Sequence, residues 1–321
     1  MTGVPHLGVT LLAVLSLAAS TLAFALLGLI ARRVLQERKA LSEASRAKAF
    51  RADLLANLQD ADSPVLKPWR GDPVALDVII HLLQLVRGNE RVSMLAIGER
   101  LELLSAALAR LASKRPVHRI AAIRRLGNFP VASVQSALND RLASDSCMEV
   151  RLEAGLALAR LLALPEPGEV VAALDDGSFA SPAHRLVLRA TAREHADAFP
   201  LLWAAQRDAP ARFAIVDALG ELVTDAGLTA LLDAVVAPEP QLRCEALRAL
   251  RRLGHPGAAT AVLASLDDPE WIVRVQAASA AGALRIAAAR PRLEALSQDA
   301  HWWVRHRAGE ALARLPKALA A

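Results

Sequence analysis

The chain has 321 residues, 54% of them apolar but only 3% aromatic and with no Tyr, so Ala and Leu carry the hydrophobicity. Such a chain has room for one or two domains or one extended array, and Ala/Leu-rich segments suit close helix packing better than sheets. Basic residues outnumber acidic ones by 38 to 33 and nearly all are Arg, a net +5 that permits acidic lipids or partners without demanding nucleic acid.

Residues 8–31, "GVTLLAVLSLAASTLAFALLGLIA", hold no charge over 24 positions. At about 1.5 Å per residue a helix of this length spans the roughly 30 Å hydrocarbon core of a bilayer. A secretory signal would open with basic residues, but "MTGVPHLG" has neither Lys nor Arg, and the charges follow in "RRVLQERK" (32–39). The positive-inside rule then puts Arg32, Arg33, Arg38 and Lys39 in the cytosol, and predicts a single-pass anchor over 1–31 with the C-terminal part cytoplasmic. From 32 to 59 a polar helix continues, seven basic residues against three acidic ones, as a solvated stalk with possible contact to anionic headgroups. "DADSPVLKPWRGDP" (60–73), with three Pro and one Gly, breaks it. Residues 32–73 are therefore a juxtamembrane helix and linker, and 74–98 are expected to form an N-terminal helical cap.

From residue 99 the chain repeats. Arg212, Arg243, Arg274 and Arg305 are spaced 31, 31 and 31, and looser copies place Arg119, Arg151 and Arg185 upstream at spacings of 32, 34 and 27. A fixed period near 30 is the signature of a solenoid of helix pairs. Each unit reads as a short first helix, a turn rich in Asp and Pro, and a second helix opening on the Arg. In "VRVQAASAAGAL", Val273, Ala277, Ala280 and Leu284 fall on one helical face. Asp145, Asp268 and Asp299 each stand six residues before a repeat Arg. They are placed either to cap the second helix or to pair with an Arg of the same or the next unit. Trp271 and Trp302 are equivalent positions 31 apart, consistent with packing at the helix entry.

The pattern Asp-Pro-x-x-x-Val-Arg-x-x-Ala-Ala-x-Ala-Leu resembles HEAT repeats, in particular the short type named after phycobilisome lyases. The resemblance covers roughly 99–315 as about seven units, and implies an all-α protein: an N-terminal transmembrane helix followed by a HEAT-like α-solenoid over 99–321. Enzymes of this repeat type need side chains that this sequence lacks. Deoxyhypusine hydroxylases carry His-Glu pairs on the second helices, but here Arg307 follows His306, and Val275, Cys244 and Phe213 occupy the other copies. The convergent carboxylates and imidazoles of a di-iron site are missing from the sequence. Zincin, P-loop and GxSxG motifs are absent as well. Cys147 and Cys244, 97 apart, form neither a disulfide framework nor a metal motif.

A non-catalytic adaptor without cofactor or metal is therefore expected, docking a membrane-associated protein on the concave face lined by the second helices and their repeat arginines. The overall plan is similar to membrane-tethered HEAT-repeat proteins of the bacterial inner membrane that accompany cell-envelope machinery, such as exopolysaccharide glycosyltransferases. The alternatives are a bilin-lyase-like enzyme and a nucleic-acid-binding array with a basic groove lined by Arg and Trp. Nucleic acid is not the expected partner.

Overall fold

The protein is described by a computed structural model covering residues 4–177, 179, 181–205 and 210–316, with side chains described from Leu22 onward except Ala23. Those residues form helices and turns and no strand. They fall into two compact units, Met1–Ala106 and Ala107–Ala321.

In the first unit α1 (Val4–Ala56) is one continuous helix, and the break at 60–73 follows it as the Pro/Gly content requires. Among the described residues of α1 only its end is covered: Phe50 and Leu54 are fully buried where α1 packs on α2 (Pro73–Leu83), which in turn packs on α3 (Asn89–Arg100), and Leu66, Leu76, Ile79, Met94 and Ile97 are buried as well. Phe50 lies 5.2 Å from Trp69 ring to ring, and the Trp69 indole N–H donates to Asp53 at 2.9 Å. Asp72 caps α2 by accepting from the Val74 N–H, and also receives Arg46. Residues 99–106, expected to open the solenoid, belong to this unit. Leu101, Leu103 and Leu104 are buried, Gly71 N–H donates to the Leu101 carbonyl at 2.9 Å, and Arg70 pairs with Glu102.

The expected transmembrane anchor gains no support here. Among the described residues no helix is long and apolar enough to cross a membrane. Most of 8–31, on which that expectation rests, lies outside the residues whose side chains are described. Arg32, Arg33, Arg38 and Lys39 lie exposed on α1, two of them in i,i+4 pairs, Arg33–Glu37 at 2.9 Å and Lys39–Glu43 at 3.8 Å.

After α4 (Ser105–Arg110), which straddles the division, the second unit is a two-layer stack. It starts with α5 (Pro116–Leu126). Six helix pairs follow: α6 (Ala132–Ser144) with α7 (Met148–Leu161), α8 (Pro167–Ala173) with α9 (Pro182–Glu194), and α10 (Phe199–Ala205) with α11 (Arg212–Leu219). Then come α12 (Asp225–Ala234) with α13 (Pro240–Leu253), α14 (Ala259–Ser265) with α15 (Trp271–Ala283), and α16 (Arg290–Leu296) with α17 (Trp302–Arg314). Each odd-numbered helix from α5 to α17 packs on the next odd one, and α6, α8, α10 and α12 pack in series as the other layer. This is the solenoid connectivity that the 31-residue period requires.

Why the second helices approach so closely is written in their small residues. A Cβ added at Gly127 would fall 2.8 Å from Ala157 Cβ, at Gly220 2.9 Å from Ala249 Cα, and at Gly282 2.7 Å from Ala311 Cα. Glycine faces alanine across α5–α7, α11–α13 and α15–α17, at separations one residue or two short of the repeat. Proline at the first position of α5, α9 and α13 starts those helices where no N–H partner is needed. Gly254, with φ of 70°, ends α13 in the left-handed conformation.

Candidate interaction surface

The repeat arginines lie at the fourth position of α5, α7, α9, α13, α15 and α17, and Arg212 at the first of α11. From there the guanidinium bridges two units. Arg274 Nη1 donates back to the carbonyls of Asp268 (2.8 Å) and Pro269 (3.0 Å), closing its own turn. Its Nε and Nη2 donate forward to Asp299 at 2.8 and 3.1 Å. Arg243 repeats the arrangement, with Ala237 and Pro238 behind and both oxygens of Asp268 ahead at 2.8 Å. Arg119 binds the Ser113 carbonyl and Asp145, at 2.8 and 2.7 Å, and is buried with it. Arg212 reaches Glu239 at 3.2 Å, an acid two residues later in register.

Of the two roles open to the acids, the inter-unit ladder is the one taken. Asp145, Asp268 and Asp299 accept from the N–H groups of Cys147, Glu270 and His301, but these acceptors stand two residues before the capping positions, whose own side chains make no cap bond. Burial pushes the Asp299 carboxyl up, yet the bonds from Arg274 and the His301 N–H outweigh it and hold the group below the usual range. Asp145 is held down in the same way by Arg119, the Cys147 N–H and Arg141.

The irregular middle of the array departs from this pattern. Arg151 Nε is buried without a hydrogen bond, and Arg185 is exposed, its charge acting on Asp217. There Ser181 caps α9 by accepting from the His184 N–H, and His184 bonds the Leu174 carbonyl at 3.1 Å. The polar bend Glu194–His195 closes the turn after α7: the Leu164 N–H donates to Glu194 and the Leu164 carbonyl meets His195 Nε2, both at 3.0 Å.

The repeat arginines are thus consumed largely in holding the stack, and the free charge sits a few turns further along the second helices. Asp217, fully buried in α11, receives Arg189 through two bonds of 2.8 and 2.7 Å and Arg252 at 2.7 Å. Glu221 lies 3.2 Å from Arg193. With Arg124–Glu153 and Arg251–Ser279, at 2.9 and 2.8 Å, the Arg189–Asp217 and Arg193–Glu221 pairs form a second ladder with separations of 28 or 29 residues, while Arg252 reaches back 35 residues to Asp217.

At the end of this ladder the acids run out. Partial burial lowers the Arg251 guanidinium, and so do the like charges of Arg252, Arg248, Arg307 and Arg314. Glu245 and Glu310 answer Arg248 and Arg307. Between α13 and α17 lies α15, whose Ala277, Ala278, Ala280, Ala281 and Gly282 are buried and whose half-buried Ser279 receives Arg251.

Aromatic rings gather on the last two second helices. Trp271 stacks flat on His301 at 3.7 Å, and Trp302 stacks on His306 at 5.3 Å and meets Trp303 edge-on at 4.4 Å. Trp271, Trp302 and Trp303 are 37%, 53% and 46% exposed, so the helix entry does not bury them. His306 faces Glu310 at 3.3 Å, and among the described residues no group of three His, Cys, Asp or Glu is placed to hold a metal.

Residues 199–274 match the family model described as HEAT repeats. This stretch runs from α10 into α15 and contains the regular steps Arg212, Arg243 and Arg274. Among solved structures, human deoxyhypusine hydroxylase in complex with glycerol is 18% identical, with 86% of this chain and 97% of that chain covered and a TM-score of 0.34. An engineered protein is 16% identical, over 84% of this chain and 91% of its own, with a TM-score of 0.36. No curated protein matches the sequence.

Proposed function

We propose that the array is a non-catalytic docking scaffold for a protein partner, which binds the layer of second helices rather than a single pocket. HEAT repeats are an interaction-scaffold type, and residues 199–274 carry them. The observation that bears most of the weight is the division of labour among the arginines. One set is tied into the inter-unit ladder, while the like charges of Arg252, Arg248, Arg307 and Arg314 crowd Arg251, which donates to Ser279 on α15. A positive patch of this kind suits an acidic protein segment, whose charge steers encounter.

The N-terminal helix is the proposed tether. Support comes from the 24 uncharged positions of 8–31 and from Leu22, Phe24, Leu26, Leu27, Leu29 and Ile30, each more than half exposed along α1. A helix apolar on all sides needs an apolar surrounding. The charges at 32–39 orient the array to the cytosolic side of a bacterial inner membrane, where tethering raises the effective concentration of a membrane-bound partner. Cell-envelope glycosyltransferase machinery is the process that the overall plan suggests, and the partner's identity names it.

The test is cross-linking in intact cells followed by affinity purification and mass spectrometry, with the full chain beside one lacking residues 1–31. Recovery of one defined membrane complex, weakened without the anchor, is the expected result. Recovery of DNA or of DNA-associated proteins indifferent to the anchor would replace this reading with a nucleic-acid array, and recovery of nothing stable would remove it.

A further inference from the structure

Helices α11 and α15 stand two repeats apart in matching places and differ in charge. Asp217 and Glu221 of α11 fall 62 residues before Ser279 and Ala283 of α15, two periods of 31. Both helices lie inside the array: α11 packs between α9 and α13, and α15 between α13 and α17. On α11 the acids are held from both sides. Arg189 of α9 donates to both oxygens of Asp217 at 2.8 and 2.7 Å, Arg252 of α13 reaches the same carboxylate at 2.7 Å, and Arg193 lies 3.2 Å from Glu221.

Two of those arginines recur around α15. Arg251 precedes Ser279 by 28 residues, as Arg189 precedes Asp217, and Arg314 follows Ser279 by 35, as Arg252 follows Asp217. Arg251 donates to the Ser279 hydroxyl at 2.8 Å and lies in the field of Arg314. Yet α15 itself holds no acidic side chain. The single acids of the flanking helices are engaged, Glu245 by Arg248 at 2.7 Å and Glu310 by Arg307 at 2.6 Å. The guanidinium groups respond in opposite directions: the bonds to Asp217 raise Arg189, whereas burial and the neighbouring cations lower Arg251. Arg251, Ala283 and Arg314 are exposed and Ser279 is half-buried, so this part of α15 is open to solvent.

We infer that the surface of α15 at Ser279 and Ala283, between Arg251 and Arg314, binds a phosphoryl group carried on a side chain of the docked protein. Its arginines repeat those that hold two carboxylates on α11, and a phosphoryl group brings a charge of about −2 in one compact unit, where a carboxylate brings half as much. Guanidinium groups grip phosphate through two parallel bonds, and its three oxygens serve cations on both sides at once. The Ser279 hydroxyl, while accepting from Arg251, keeps its own hydrogen to donate. The inference rests on the docking reading above and names the chemistry that the partner presents.

The test has two arms. In the first, inorganic phosphate is titrated calorimetrically into the full chain in detergent at mildly alkaline pH, where the ion is a dianion. Binding is expected, and it weakens by about tenfold or more in the double variant Ser279→Asp, Ala283→Glu, which gives α15 the acids of α11. That variant should unfold at a higher temperature than the parent, so lost binding is not lost folding. Arg251→Gln with Arg314→Gln, two exposed changes, should weaken binding as much. No binding, or binding that ignores both variants, would overturn the site. In the second arm the complex recovered from cells is treated with a protein phosphatase, which should release the partner from the parent chain. A complex that resists the phosphatase, or that vesicles containing phosphatidic acid displace in its place, would overturn the protein as the source of the phosphoryl group. A complex formed equally well by the acid-restored variant would overturn the site and leave the scaffold reading standing. No complex from either chain, with phosphate still bound by the parent, would overturn the scaffold and the protein source while the anion site stands.

Discussion

The sharpest energetic consequence of the stack concerns two glycines on neighbouring second helices. Gly282→Ala puts a Cβ 2.7 Å from Ala311 Cα and 2.9 Å from its Cβ. Backbone cannot swing aside as a side chain can, so α15 and α17 must separate, and overpacking of this kind costs about 1–3 kcal/mol. The intrinsic preference of a helix for Ala over Gly returns only about 0.5–1 kcal/mol. The clash wins, with a net loss of roughly 1–2 kcal/mol. Gly309→Ala makes the same chemical change on α17 where nothing lies within 4 Å, so only the gain remains, about 0.5–1 kcal/mol. For a unit of this size each kcal/mol shifts Tm by about 2–4 °C, so the two variants should differ by several degrees in opposite directions. The assay is thermal unfolding of the full chain in detergent, with hydrogen exchange to place the loosening at α15–α17, because a stack of repeats communicates mainly with its neighbours. Gly282→Ala at least as stable as the parent would refute the close-approach argument.

Asp217→Ala leaves Arg189 and Arg252 around an empty buried position and should cost about 3–5 kcal/mol, read as a lowered urea midpoint. Asp145, Asp217 and Asp299 are all held below the usual carboxylate range, so their contribution is complete above about pH 4 and is lost as pH falls further, through their folded values. A Tm-against-pH series between 3 and 7 should therefore fall at the acid end, and less steeply in Asp299→Asn. Arg285 ends α15 at φ 54°, 31 residues after Gly254 at φ 70°, and Arg285→Gly should raise stability by about 1 kcal/mol in the same unfolding assay.

The period was the legible part of this sequence. Repeat arginines at a constant 31 placed the second helices, and all of Arg119 to Arg305 lie on them. What each arginine does was less legible. Register allowed an Asp–Arg ladder between units beside a partner-facing row, and the coordinates show Nη1 turned back to its own turn and Nε turned forward to the next acid. The second ladder went unread because its separations of 28 or 29 do not follow the changing spacing of the repeat arginines, which is 27 between Arg185 and Arg212 and 31 between Arg243 and Arg274. Trp303 has no counterpart 31 residues earlier, where Ile272 stands, so the period assigns it no place. The pattern of 99–106 is helical whether it belongs to the first unit or the second, so periodicity alone does not fix where the array starts. The contacts that draw Leu101 and Glu102 to Gly71 and Arg70 are long-range, and periodicity does not report them.

Hydrogen exchange of the full chain, alone and in the complex recovered from cells, tests the docking scaffold most directly. A partner seated on the second helices slows exchange across α13, α15 and α17 and leaves the even-numbered helices unchanged, and the protection disappears with Arg251→Glu and Arg314→Glu together. Protection confined to α6–α16 of the other layer, or protection that survives the double charge reversal, would contradict it.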